Sequence, residues 1–317
     1  MTSPRRMHFL QRLGYFLVFT LMCATSYAAS ETPPPAKELS IPTKDGVRLH
    51  TTYFPGSEGK KTAVVILVHG DVGPMGTGSS KDCLSLAEFL QREKHAVFVP
   101  DLRGYGRSTT QNDDTNAGKR LDSKRSRRED IEAMVKYDME ALKSKIVELH
   151  NTGELNANLI CVVGFEMGTV VALNWTHLDW SMQSLPNLKQ SEDVRAMALI
   201  SPLQSFRGYA IRDALADRSV REKVSALVTY GKQDDSFAAS GRRITKTLER
   251  SHAPIPSDEA KQSENQDLFI YELPTSLQGT RLLSVRELKV RDTIRDFVAL
   301  RVVQQRDRYP WKSRVVN

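Results

Sequence analysis

The chain has 317 residues, 40% hydrophobic and 26% charged, with a net charge of +7. This composition excludes a disordered or fibrous chain, and the length accommodates one large domain or two small ones with a substantial core. Three of the positive charges sit in the first 28 residues, which hold no acid, and the mild excess left behind makes no case for nucleic acid.

Residues 1–28 read as a secretory signal peptide. Arg5, Arg6 and Arg12 form a basic opening, residues 14–23 (GYFLVFTLMC) an apolar run, and Ser26-Tyr27-Ala28 offers small residues where a signal peptidase reads them. The run is short for a membrane span. The expectation is export, to the periplasm or outside the cell, with cleavage near Ala28; an uncleaved membrane anchor is the alternative. Residues 29–36 form a Pro-rich tether. Residues 37–53 read as two short strands around Lys44-Asp45-Gly46, and residues 56–61 as a polar loop. Residues 62–68 (TAVVILV) have the length and continuous apolarity of a strand covered on both faces. Helices and strands then alternate. Helices are predicted over 80–93, 127–149 (opened by a capping box, Ser126 with Glu129), 168–180, 208–218, 238–250 and 280–303. Strands are predicted over 96–100, 159–163, 194–200, 226–230 and 268–271. This alternation predicts an α/β fold, a mostly parallel central sheet with helices on both faces, over residues 37–303. Residues 304–317 are set apart as a basic C-terminal tail.

Four turns carry chemistry. His69-Gly70-Asp71 follows the first core strand. Asp101-Leu102-Arg103-Gly104-Tyr105-Gly106-Arg107-Ser108 follows the next. Gly164-Phe165-Glu166-Met167-Gly168 lies between an apolar strand and a helix-forming stretch. Gly231-Lys232-Gln233-Asp234 ends a later strand. Together, and in this order, they resemble the landmarks of the α/β-hydrolase family, and the resemblance covers residues 37–303. It implies the α/β-hydrolase fold, a nucleophile elbow at Glu166, a triad acid at Asp234, and an oxyanion hole from the backbone N–H groups of Asp71 and Met167. The family's histidine belongs in the turn before the last helix, and there Gln278 precedes Gly279-Thr280. The triad positions therefore read Glu166, Asp234 and Gln278.

Acyl transfer needs a nucleophile activated by a base that takes and returns a proton near working pH. A glutamine amide does neither. An ester formed on Glu166 would lack an activated water to release it. The Glu166 side chain is longer than serine's, so its carboxylate is expected to fold onto the N–H groups of Asp71 and Met167. Those donors would then hold it ionised.

His69 reads as structural, and His95, His150, His177 and His252 as packing or surface residues. No metal spacing and no cofactor motif is present. Cys23 lies in the signal segment; Cys83 and Cys161 are expected as buried free thiols, one disulfide being the alternative. Lys119, Arg120, Lys124, Arg125, Arg127 and Arg128 follow a core strand on the ligand-binding side and form a candidate anion-binding rim. No aromatic residue interleaves with them, which argues against single-stranded nucleic acid. The function expected is a secreted pseudo-hydrolase, inactive or nearly so, that binds a small-molecule or anionic ligand or a protein partner the sequence does not identify. It would have no membrane span after signal cleavage. The alternative is a hydrolase with altered catalytic residues acting on esters or related small substrates.

Overall fold

Eight strands line up in the order β1 (Lys37–Pro42), β2 (Arg48–Phe54), β4 (Ala96–Pro100), β3 (Val64–Val68), β5 (Ile160–Phe165), β6 (Val194–Ile200), β7 (Ser225–Gly231) and β8 (Leu268–Leu273). Strands β1 and β2 pair antiparallel, as do β2 and β4, and every other pair is parallel. This computed structural model describes residues 32–73, 76–112, 118–183, 189–252 and 266–315. The chain divides after Thr32, and everything below belongs to the unit from Pro33 onward. The stretch expected to be a signal peptide, residues 1–28, and the start of the expected tether, residues 29–31, lie outside the described residues.

The period of two in each strand explains the layers. Val64, Ile66 and Val68 of β3 face one way, with Phe98, Ile160 and Val162. They pack against α2 (Arg128–Ala133), α3 (Met139–Asn151), α4 (Met167–Ser181) and α7 (Asp235–Glu249). Val65 and Leu67 face the other way, with Val97, Cys161 and Val163, under α1 (Leu84–Arg92) and α8 (Val290–Arg301). Both surfaces of β3, β4, β5, β6 and β7 are thus buried, which is why they read as largely apolar runs. Cys83 and Cys161 are buried free thiols in this second layer.

The helices depart from expectation where side chains overrule periodicity. The predicted helix 127–149 contains a π-helical segment, Met134–Asp138. That extra residue turns Asp138 inward, fully buried, onto the N–H, Nε and Nη2 of Arg103 at 2.7–2.9 Å. The cap of this helix sits one residue later than read: Asp130 accepts the Arg127 N–H at 2.7 Å. Arginine has no acceptor to return the bond. Predicted helix 208–218 is instead α5 (Arg212–Ala216) and α6 (Arg218–Lys223), broken where Asp217 caps the second by accepting the Val220 N–H. Predicted helix 280–303 begins as 3-10 turns, Gly279–Ser284 and Arg286–Leu288, and becomes α-helical only after Lys289 takes a left-handed conformation (φ 52°).

The basic tail is fastened to the body. Asn156 and Asn158 donate to the carbonyls of Tyr309 and Pro310, and Trp311 Nε1 donates to His150 O. Arg314, 9% exposed, donates to both oxygens of Asp193 at 2.6 and 2.8 Å. Asp193 also meets Lys189 and, at 3.5 Å, Lys143, which pairs with Asp179 at 2.5 Å.

Candidate functional site

The elbow is a steric construction. A Cβ on Gly164 would come within 2.4 Å of Gly168 O, and one on Gly168 within 2.2 Å of Val68 O. Strand and helix backbones touch there, so both positions exclude a side chain. Between them Glu166 is forced to φ 49°, ψ −112°, which costs a non-glycine residue about 1–2 kcal/mol. Its N–H donates to Ile200 O at 3.0 Å, and its carbonyl accepts Thr169 N and Thr169 Oγ1 at 2.9 and 2.5 Å.

The Glu166 side chain is 6% exposed. Its carboxyl lies between the turn after β3 and the turn after β8: a Cβ on Gly70 would stand 2.6 Å from Oε2, and one on Gly279 1.8 Å from Oε1. Oε1 is buried with no hydrogen-bond partner. Among the described residues, neither Asp71 N–H nor Met167 N–H donates to this carboxyl. The carboxyl is tucked in, as expected, but it runs toward Gly279 and leaves those donors aside. The charge balance reverses with it. Burial, reinforced by the nearby carboxylates of Asp71 and Asp82, pushes Glu166 up from an ordinary 4.5 to about 7.

Gln278 is 1% exposed and fully engaged elsewhere. Its Nε2 donates to Gly231 O at 2.8 Å, and its Oε1 accepts Gly231 N–H at 3.2 Å and Ser201 Oγ at 2.7 Å. Ser201 Oγ accepts Gly279 N–H at 2.8 Å. Asp234 caps α7, its Oδ1 accepting the N–H groups of Ser236 and Phe237 at 3.1 Å. The three triad positions are therefore brought to one edge of the sheet without a hydrogen-bonded relay among them. His69 is equally occupied. Its Nε2 accepts Leu102 N–H at 3.1 Å, so the ring's proton sits on Nδ1, 2.7 Å from Gly70 O, and burial pushes its pKa down.

The turn after β4 meets the elbow through Tyr105, whose hydroxyl lies 3.3 Å from Met167 Sδ. Asp101 accepts the N–H groups of Ser80 and Arg107, and Arg103 spans Asp138 and Asp45. That frame holds Tyr105, whose hydroxyl donates to Asp71 Oδ1 at 2.6 Å. Arg207 lies 3.4 Å from Asp71 Oδ2 and donates to the carbonyls of Ser123 and Ser126. Through it the basic segment is joined to Asp71. Lys119, Arg120, Lys124, Arg125, Arg127 and Arg128 are all exposed. Five of them, all but Arg128, border an open depression of about 670 Å³ that also contains Asp122 and Asp130. Of the six, only Arg125 has an ion-pair partner among the described residues, Asp122 at 3.8 Å. Among the described residues, no group of three or more His, Cys, Asp or Glu could hold a metal ion, and no helix is long and apolar enough to cross a membrane.

Ser201, Asp82 and Arg207 escaped the sequence reading. Ser201 had a signal, since it is the first residue beyond a central strand, where open sheets present functional groups.

A family model described as alpha/beta hydrolase fold matches residues 63–280. Among solved structures, an esterase from Pyrococcus furiosus is 16% identical, over 85% of this chain and 93% of that one, with a TM-score of 0.54. A fungal esterase from Rhizomucor miehei is 13% identical over 87% and 85%, also with a TM-score of 0.54. A lid-less serine hydrolase from Xanthomonas campestris is 13% identical over 84% and 94%, with a TM-score of 0.51. At such identities the likeness concerns the fold. No curated protein matches the sequence.

Proposed function

Because this chain belongs to the α/β-hydrolase fold family, and its triad positions hold no proton relay, we propose that it is a secreted pseudo-hydrolase that binds a ligand or partner at the elbow. The observation that carries the reading is Gln278. Where family members keep a titrating base, this chain has an amide whose three hydrogen bonds go to Gly231 and Ser201. Loss of the base removes a factor of about 10²–10⁴ from acyl transfer, and the carboxyl of Glu166 cannot be deprotonated by it. The exposed basic rim favours a negative group on whatever docks there. The signal-like first 28 residues support export.

The purified protein should not react with a fluorophosphonate probe and should leave a series of p-nitrophenyl esters at the uncatalysed rate. Ester turnover that is lost on replacing a pocket serine would overturn the reading. N-terminal sequencing of protein from its native host should begin near Ala29; an intact Met1 in the cytosolic fraction would contradict export.

The second reading is a hydrolase with altered residues. The free, buried carboxyl of Glu166 favours it, as a nucleophile in principle. Attack on an ester carbonyl would expel the alcohol and leave an acyl group on Glu166. With no base to activate water, turnover would stall at that adduct. Intact-protein mass spectrometry after incubation with an activated ester should show no mass gain under our first reading, and one acyl group under the second.

A further inference from the structure

A separate cavity of about 420 Å³ opens between α5, α6 and α7, within the size range of small-molecule sites. Glu166, Asp234 and Gln278 take no part in its lining. Its floor is apolar: Ile211 ahead of α5, Leu215 of α5 and Ile244 of α7, all members of the first core layer. Its walls are positive. Arg212, Arg221 and Arg243 line it, and among the described residues no acid does.

These arginines are poorly answered by the protein itself. Arg212 has one partner, Asp213 at 3.3 Å, and both side chains are exposed, so the pair is weak. Arg221 is half-buried. Its Nη1 donates to Ser251 Oγ at 2.8 Å and its Nη2 to Ala216 O at 3.4 Å, both neutral acceptors, and its Nε is buried without a partner. The Arg243 side chain has neither an ion pair nor a hydrogen bond among the described residues; only its backbone carbonyl is engaged, by Thr247. Two guanidinium groups thus border one apolar hollow with no carboxylate paired to either.

We propose that this cavity binds a small amphipathic anion, an aliphatic body ending in a carboxylate. The head would lie against Arg221 and Arg243, and the body on Ile211, Leu215 and Ile244. The chemistry matches at both ends. A guanidinium is a planar fork of donors that fits the two oxygens of a carboxylate and keeps its charge at any working pH. An apolar floor rewards hydrocarbon, each buried methylene raising affinity about fourfold. Inorganic phosphate would use the arginines and leave the floor wet. A neutral alcohol would use the floor and leave the cations unanswered, and an ammonium would be repelled by them. The inference goes beyond the reading of the elbow and does not depend on it.

Isothermal titration of the purified protein with hexanoate, octanoate, octanol, octylammonium and inorganic phosphate tests this. Octanoate should bind about 15-fold more tightly than hexanoate. Octanol, octylammonium and phosphate should bind at least about tenfold more weakly than octanoate. Arg243 has no side-chain partner to lose, so Arg243→Gln should keep its circular dichroism and weaken octanoate about tenfold or more. Thr247→Trp, which sets an indole into the cavity, should abolish octanoate binding. No octanoate binding, octanol or phosphate bound as tightly as octanoate, an affinity indifferent to chain length, or octanoate binding unmoved by both variants each overturns the inference. The ligand series needs no variant, so it decides the matter even if Thr247→Trp folds badly. Hydrolysis of p-nitrophenyl esters bears on the elbow alone, so failure here and failure there are told apart.

Discussion

Replacing Glu166 with glutamine should stabilise the protein, and by an amount set by pH. The carboxyl is held at about 7 in the fold against an ordinary 4.5. Between those values the folded protein keeps a proton that the unfolded chain has released, so stability falls as pH rises through this window and levels off above it. Holding the carboxyl at about 7 corresponds to roughly 3 kcal/mol lost by pH 8. At pH 5 the loss is only about 1 kcal/mol, because little of the window has been crossed. Glutamine keeps the length and the φ of 49° but never takes a charge into the pocket. Urea unfolding of both proteins at pH 5 and pH 8 reads the difference directly, since every other titrating group is common to the two. Glu166→Gln should gain about 2 kcal/mol more at pH 8 than at pH 5. A gain that is equal at the two pH values, or a glutamine variant less stable than the parent at pH 8, would show that Glu166 has a partner in solution and that burial does not govern it.

Gln278→Ala strands Ser201 Oγ and both backbone groups of Gly231, and should cost about 2–4 kcal/mol in urea unfolding. Gly279→Ala sets a Cβ against Glu166 Oε1 at a φ of 58°; in a Glu166→Ala background the clash disappears and only the backbone strain is left. Unfolding of the single and double variants should therefore give a coupling of about 1 kcal/mol or more. Arg314→Ala removes the strongest partner of a fully buried carboxylate and should destabilise by about 3–5 kcal/mol, an effect that salt does not imitate. The double change Glu166→Ser with Gln278→His should leave p-nitrophenyl acetate hydrolysis near background, because Asp234 is committed to Ser236 and Phe237; robust hydrolysis would mean that this carboxylate swings free of its cap.

What could be read in the residues was whatever is local. Two glycines four positions apart around Phe165, Glu166 and Met167, with an apolar strand before and a helix after, announce the elbow, because only that geometry demands both glycines. The alternation of apolar runs with helical stretches likewise gave the sheet. What stayed hidden depends on partners far along the chain. Gln278 stands where a base is missed, but its bonds go to Ser201 and Gly231, 77 and 47 positions away. The direction of the Glu166 side chain is decided by Gly279, whose lack of a Cβ opens the space Oε1 occupies. The π-helical turn at Met134–Asp138 exists because Asp138 answers Arg103, a pairing across 35 positions that no helical period records. The start of the last helix was misplaced for a similar reason: its first turns follow the packing of Leu282 and Leu283 in the second core layer.

The fastening of Arg314 to Asp193 also sets an order in time. Asp193 is synthesised 121 residues before the arginine that neutralises it. Until Arg314 emerges, Asp193 and Asp179 at the foot of the central strands have only Lys143 and Lys189 to answer them. In chain order that corner of the sheet is therefore completed last, and its charge is balanced in full only by a segment that lies far from it in the sequence.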